Sequence, residues 1–221
     1  MVLKIKNRAG IAMSVISFPN PRGPTREGVI ALGGKLTADN LIESYKNGIF
    51  PWPHEGYPLL WFCPDERGVL DFSDVHLPKS FLKWKRTKGA ELKITYNQNF
   101  ADVIKNCRKQ KRPDQKGSWI NTAMEKAYVD LHAKGVAQSV EVWQGDELIG
   151  GIYGVQSKHY FSCESMFFKV SNASKLALYE LIEFLKSKNQ TWMDIQMVTD
   201  VSGQFGGKLI SKEEFLTRIK C

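Results

Sequence analysis

Residues 137–168, AQSVEVWQGDELIGGIYGVQSKHYFSCESMFF, alternate apolar and polar side chains in three runs broken by QGDE and VQSK. A period of two marks half-buried strands, and the short polar breaks predict an antiparallel meander. On either side the period lengthens. NFADVIKNCRKQ (99–110), INTAMEKAYVDLHAKG (120–135) and SNASKLALYELIEFLKSKN (171–189) space apolar residues three and four apart, which predicts amphipathic helices. Ser171 or Asn172 caps the last of these. A shorter helix over TADNLIESYKNG (37–48) has Thr37 as N-cap and Gly48 as its stop. Lys79–Arg86 forms a basic helix, ELKITY (91–96) and TWMDIQMV (191–198) are strands, and KEEFLTRI (212–219) is a closing helix. Before residue 72, prolines, glycines and aromatics interrupt every period. FPNPRGP and ALGGKL are turns there, and the stretch from Gly48 to Phe72 reads as irregular backbone leading into a strand.

A meander, a helix and a further strand make an α+β pattern, compatible with an N-acetyltransferase-like (GNAT-like) core. The expected division is a small N-terminal α/β domain over residues 1–75 and a catalytic domain over 76–221. The chain of 221 residues, 43% apolar with 12 Phe and 6 Trp, is long enough to bury a real core.

Charge changes the picture once it is located. Lys79–Lys116 holds twelve Lys and Arg against Glu91, Asp102 and Asp114, a local balance of +9 in a chain of net charge +8. The whole surplus therefore sits in one stretch, and concentrated cations of this kind suit a polyanion such as nucleic acid. Lys83, Lys85 and Arg86, then Arg108, Lys109, Lys111 and Arg112, are its densest parts.

Against that background a few polar residues stand out. Glu164 interrupts an apolar and aromatic run, where a carboxylate costs several kcal/mol, roughly, unless it is paired or serves a ligand. Simple alternation puts Glu164 and Met166 on one face and Cys163, Ser165 and Phe167 on the other; whether that face is wet or buried stays open. MDIQ sets Asp194 and Gln196 in phase on a strand that ordinarily disfavours both. They mark either a polar site or an edge facing water. Trp52 in FPW and Trp119 in GSWI suit stacking on an unpaired base as well as core packing. Gly150, Gly151 and Gly154 allow a close approach of backbone or ligand.

Other chemistries find no support in the sequence. The four histidines lack Ser or Cys partners for a nucleophilic triad. Cys63, Cys107, Cys163 and Cys221 show no metal-ligand spacing and read as free thiols of a reducing compartment. There is no phosphate-binding loop, no dinucleotide fingerprint and no Q/R-x-x-G-x-G/A run for a CoA pyrophosphate. No apolar run reaches membrane-spanning length, and the expectation is a cytoplasmic monomer without metal or cofactor.

FPNPRGPTREGVIALGGKLTADNLIESYKNGIFPW, LLWFCPDERGVL, GSWI, AYVDLHAKGVAQSVEVW, LIGGIYGV, CESMFF, NASKLAL and MDIQ, in this order, resemble the bacterial leucyl/phenylalanyl-tRNA–protein transferases. The likeness runs from about Phe18 to Ile219. It implies an acetyltransferase-like fold that uses aminoacyl-tRNA in place of acetyl-CoA. The implied reaction moves Leu or Phe, and Met less well, onto the N-terminal Arg or Lys of a protein, creating a degradation signal. It implies a catalytic set of Asp194, Gln196 and Glu164, with Asp194 holding and helping deprotonate the acceptor amine. Trp52 and Trp119 would meet the tRNA 3′ end, and Ile152, Phe161, Met166 and Met193 the amino-acid side chain. Departures from the family pattern are Val201 and Gln204 in DVSGQFGG, Lys35 in GGKL, and Cys63 and Cys163; they bear on donor and acceptor preference. A CoA-dependent N-acyltransferase and a non-catalytic RNA-binding protein are the competing readings. The first lacks its pyrophosphate loop, and the second leaves CESM and MDIQ without a purpose.

Overall fold

The computed structural model describes residues 3–4, 15–54, 56–111 and 118–220. The chain first builds a four-stranded sheet from short pieces: β1 (Leu3–Lys4), β2 (Val29–Leu32), β3 (Phe50–Pro51) and β4 (Leu60–Phe62), in the order β1-β2-β4-β3. Helix α1 (Ala38–Lys46) lies between β2 and β3. It starts where expected, because the Thr37 side chain accepts from the N–H of Asn40, and Gly48 follows its end at φ 71°.

The chain passes into a second sheet with β5 (Glu66–Asp71), upstream of the division expected at residue 75. Helix α2 (Lys79–Arg86), a 3-10 turn (Lys88–Glu91), β6 (Lys93–Tyr96), α3 (Phe100–Lys109) and α4 (Thr122–Ala133) follow. Asn121 caps α4 by accepting from the N–H of Met124, 2.9 Å away. The meander is present as β7 (Ala137–Gln144), β8 (Glu147–Gln156) and β9 (Phe161–Phe168). Then come α5 (Ala173–Ser187), β10 (Trp192–Gln196), α6 (Asp200–Gln204), β11 (Lys208–Ser211) and α7 (Lys212–Arg218). Asn172 stands at the head of α5 in the left-handed region, without a side-chain cap bond. The expected strand at 191–198 is shorter, since backbone pairing stops at Gln196.

The large sheet runs β11-β5-β10-β9-β8-β7-β6 and is antiparallel throughout except for the pair β9/β10. The protein is therefore α+β with a mixed sheet. One face packs against α3, α4 and the small sheet through Val103, Tyr128, Tyr153 and Phe167. The other packs against α5 and α2 through Ile152, Phe161, Leu181 and Phe81.

The glycines of β8 answer to this packing and not to a ligand. A Cβ on Gly150 would meet the Ala173 Cβ at 2.6 Å, so α5 sits directly on the strand; one on Gly154 would meet the Phe161 ring and Ser162 O at 2.3 Å.

Candidate active site

β9 and β10 pair over two positions only, Phe161 with Met193 and Ser162 with Asp194, and then part. Each strand carries an irregularity at the point of parting. On β9 the register slips between Ser165, opposite Tyr153, and Cys163, opposite Gly154, so Glu164 is an extra residue. The slip overturns the simple alternation: Met166 packs on the α5 side, while Glu164 points to the opposite side and meets Tyr128. On β10 the chain turns tightly at Gln196, with φ 59° and the Met197 N–H on the Ile195 carbonyl at 2.6 Å. Gly68 of β5 makes room for this turn, since a Cβ there would stand 2.8 Å from the Met197 carbonyl carbon.

The parted strands open a cavity of about 420 Å³. Glu164 and Gln196 line it, as do Trp52 and Trp119, whose rings pack with centroids 6.1 Å apart. Ile152, Met166, Leu178 and Ile195 give one side an apolar wall, with Cys163 and Val201 beside them. Phe161 and Met193, expected in that wall, are fully buried behind it in the core under α5 and do not line the cavity. Phe161 and Met193 face each other where β9 and β10 are still paired, so they pack into the sheet core and fall short of the opening.

Behind Glu164 and Gln196 lies a closed polar network. The Gln196 Nε2 donates to Glu164 Oε1 at 2.7 Å, and the Tyr128 hydroxyl donates to Oε2 at 3.3 Å. The Tyr45 and Tyr128 hydroxyls are 2.5 Å apart. The Ser162 Oγ lies 2.8 Å from Asp194 Oδ2 and 3.2 Å from Glu164 Oε1, sharing one hydroxyl between the two acids. Burial is the main force on Glu164 and pushes its carboxyl up to about 7; the negative Asp194 adds to the rise, and hydroxyl donors and Arg67 oppose it.

Asp194 differs from the expectation of an amine-holding group. Its Oδ1 accepts from Arg67 Nε (2.8 Å) and from the Gln196 N–H (2.9 Å), and its Oδ2 from Arg67 Nη2 (2.7 Å) and Ser162. Both Asp194 and Arg67 have no exposure at all, and neither lines the cavity. With every acceptor position engaged, Asp194 holds Gln196 in its unusual turn and has nothing left for a substrate. Arg67 was not singled out by the sequence. Its guanidinium is clamped between the rings of Phe50 and Phe215, at 4.5 and 4.4 Å from their centres. Ser162, Tyr45 and Tyr128 were missed as well.

The cations of the basic stretch divide between two sides of the sheet. Lys83, Lys85 and Arg86 ride on α2, whose Phe81 packs with Tyr179 and Phe205 on the α5 side; Lys85 Nζ sits 4.4 Å over the Tyr179 ring. Arg108 and Lys109 end α3 on the other side, and Lys111 reaches the cavity lining. Arg108 is drawn to Glu125 at 2.6 Å, while Lys105, Lys109 and Lys111 are exposed, with Lys109 and Lys111 nearest the cavity end of α3. Arg112 lies outside the described residues.

Among the described residues no helix is long and apolar enough to cross a membrane. The profile of the leucyl/phenylalanyl-tRNA protein transferase family matches residues 69–220, and that of the family's N-terminal domain matches residues 34–65. A leucyl/phenylalanyl-tRNA–protein transferase of Flavobacterium johnsoniae is 45% identical over 92% of this chain and 95% of its own. That of Flavobacterium psychrophilum is 42% identical over 93% and 96%, and that of an Anaeromyxobacter species 40% identical over 92% and 86%. Among solved structures, L-PGS from Bacillus licheniformis covers 70% of this chain and 50% of its own with TM-score 0.43 and 11% identity, too low to carry weight. Two family profiles over nearly all of residues 34–220, and relatives matched almost end to end, make this chain a member of the leucyl/phenylalanyl-tRNA–protein transferase family.

Proposed function

We propose that the protein transfers Leu or Phe, and Met less well, from aminoacyl-tRNA to the N-terminal Arg or Lys of acceptor proteins and so marks them for degradation. The observation that carries this is one cavity that joins an apolar wall, two tryptophans and the Glu164–Gln196 pair beside an exposed lysine. An acyl side chain fits the wall formed by Ile152, Met166 and Leu178, whose Met thioether adapts to linear and branched shapes alike. Trp52 and Trp119 stack the terminal adenine. The meander followed by α5 and a parallel β10 that splays from β9 supports a GNAT-like architecture, with the aminoacyl ester placed in the splay. The protein acts as a cytoplasmic monomer.

The donor ester is already activated, so neither metal nor cofactor is required. The acceptor's α-amine, with a pKa of about 8, needs to lose one proton as it attacks. Gln196 donates through Nε2 to Glu164, which turns its amide oxygen toward an amine N–H. As the amine nitrogen bonds to the ester carbonyl, its proton passes to Glu164, whose pKa of about 7 suits a base near neutrality. The C–O bond to the ribose then breaks, and the same proton goes to the departing oxygen. Asp194 and Arg67 act through Gln196 as positioning residues, and holding amine and carbonyl together supplies most of the acceleration.

Incubation with labelled Leu-tRNA and an Arg-starting peptide, with labelled acetyl-CoA as a parallel donor, tests the reaction. Label is expected on the peptide α-amine from Leu-tRNA; label from acetyl-CoA alone would overturn the reading. The tRNA contact has its own test. Replacing Lys109 and Lys111 by glutamine is expected to raise KM for aminoacyl-tRNA and to flatten its salt dependence by about 0.7 per lost cation. An unchanged slope would place the tRNA elsewhere.

A further inference from the structure

Beside the cavity that holds Glu164 lies a second one of about 690 Å³, and the two share Phe50, Trp52, Gln196 and Met197. Its apolar surface includes Met197, Val198 and Leu209, which are 46%, 39% and 52% exposed. Large apolar side chains left open in one groove mark a surface made to be covered. The rim carries Glu27, Asp65 and Glu66, and among the described residues the lining holds no lysine or arginine. Asp65 is paired with Lys212 at 2.5 Å. Glu27 and Glu66 are exposed, and no ion pair or side-chain hydrogen bond within the described residues engages either. In a chain of net charge +8 this is a local reversal of sign, set directly against the cavity that Lys111 reaches. Carboxylates here repel a phosphate-bearing nucleotide and attract a cation.

We infer that this groove holds the N-terminal residues of the acceptor polypeptide, and that Glu27 and Glu66 select its cationic first side chain. Gln196 lines both cavities, so an amine entering from the groove reaches the carbonyl held in the first one without crossing the donor. The residues after the first run over Val198 and Leu209, which favours an apolar side chain near the start of the acceptor. This assignment rests on the transfer reaction proposed above, with donor and acceptor approaching Gln196 from opposite signs of charge.

Fluorescence anisotropy of a peptide labelled at its C-terminus reads the groove with no tRNA present. For an Arg-Leu-starting peptide, Glu27→Gln/Glu66→Gln is expected to weaken binding about tenfold, the effect of two partly solvated ion pairs. Binding of the matching Ala-Leu peptide should be unchanged by that variant, whereas Leu209→Ser should weaken both peptides. KM for aminoacyl-tRNA should not move in either variant. Equal binding of the Arg and Ala peptides to the unmodified protein, or wild-type affinity of the Arg peptide for the double variant, would overturn the assignment. A peptide that binds in this charge-dependent way but receives no residue from Leu-tRNA would instead count against the reaction.

Discussion

Replacing Arg67 by methionine is expected to lower the free energy of unfolding by about 3–5 kcal/mol, as for the loss of one partner from a buried ion pair. Arg67 and Asp194 are both shut off from water and meet through two hydrogen bonds of 2.8 and 2.7 Å. Without the guanidinium, Asp194 keeps only the Ser162 hydroxyl and the Gln196 N–H, too little to balance a buried charge. Methionine keeps much of the volume between Phe50 and Phe215, so the loss reports charge more than packing. Adding Asp194→Asn removes the stranded charge while leaving an oxygen for the Gln196 N–H. That double variant is expected to recover most of the stability in urea denaturation, because a whole pair costs far less to remove than half of it. If the double variant is as unstable as the single one, the deficit is steric and the pair carries little. Activity separates from stability here: with Gln196 less firmly turned, kcat should stay low in both while KM for aminoacyl-tRNA is kept.

The contrast between these residues and those legible in the sequence has a physical cause. Helices α3, α4 and α5 were readable from their apolar period, and α1 from its Thr37 cap and Gly48 stop, because these are local properties. The small sheet was not, because β2, β3 and β4 are two to four residues long and too short to show a period. The same holds for β11 and for α6, which is a single capped turn. Glu164 was singled out as an acid within an apolar run with its burial left open; it is buried, and its face was misassigned, since one bulged residue inverts every face that follows. Arg67 had no local mark at all. An arginine before GVLDF looks like a strand edge, and only Asp194, 127 residues away, makes it a core residue. The family motifs named the acids; the partners that set their chemistry come from distant segments and needed the structure.

Glu164→Gln is expected to reduce transfer by about 10²- to 10⁴-fold, the span of a lost general base, and to change the shape of the pH profile. Burial holds the Glu164 carboxyl up to about 7. Since it must be ionised to take the amine proton, wild-type activity at saturating donor rises as pH passes through about 7. The amine itself adds a further rise near about 8. The glutamine variant keeps the rise of the amine and loses that of the carboxyl. Stability moves the other way. A carboxyl whose folded pKa lies above the usual value holds its proton more tightly when folded. Its contribution is therefore complete below pH of about 4.5 and is lost as pH rises through about 7. That window amounts to roughly 3 kcal/mol, so Glu164→Gln should be no more stable than the wild type at low pH and more stable above neutrality. Activity lost together with stability gained at pH 8 is the signature of a carboxylate kept in an unfavourable place for chemistry. A variant that loses stability at pH 8 would make Glu164 a structural acid, and one that keeps the inflection near pH 7 would assign that titration to another group.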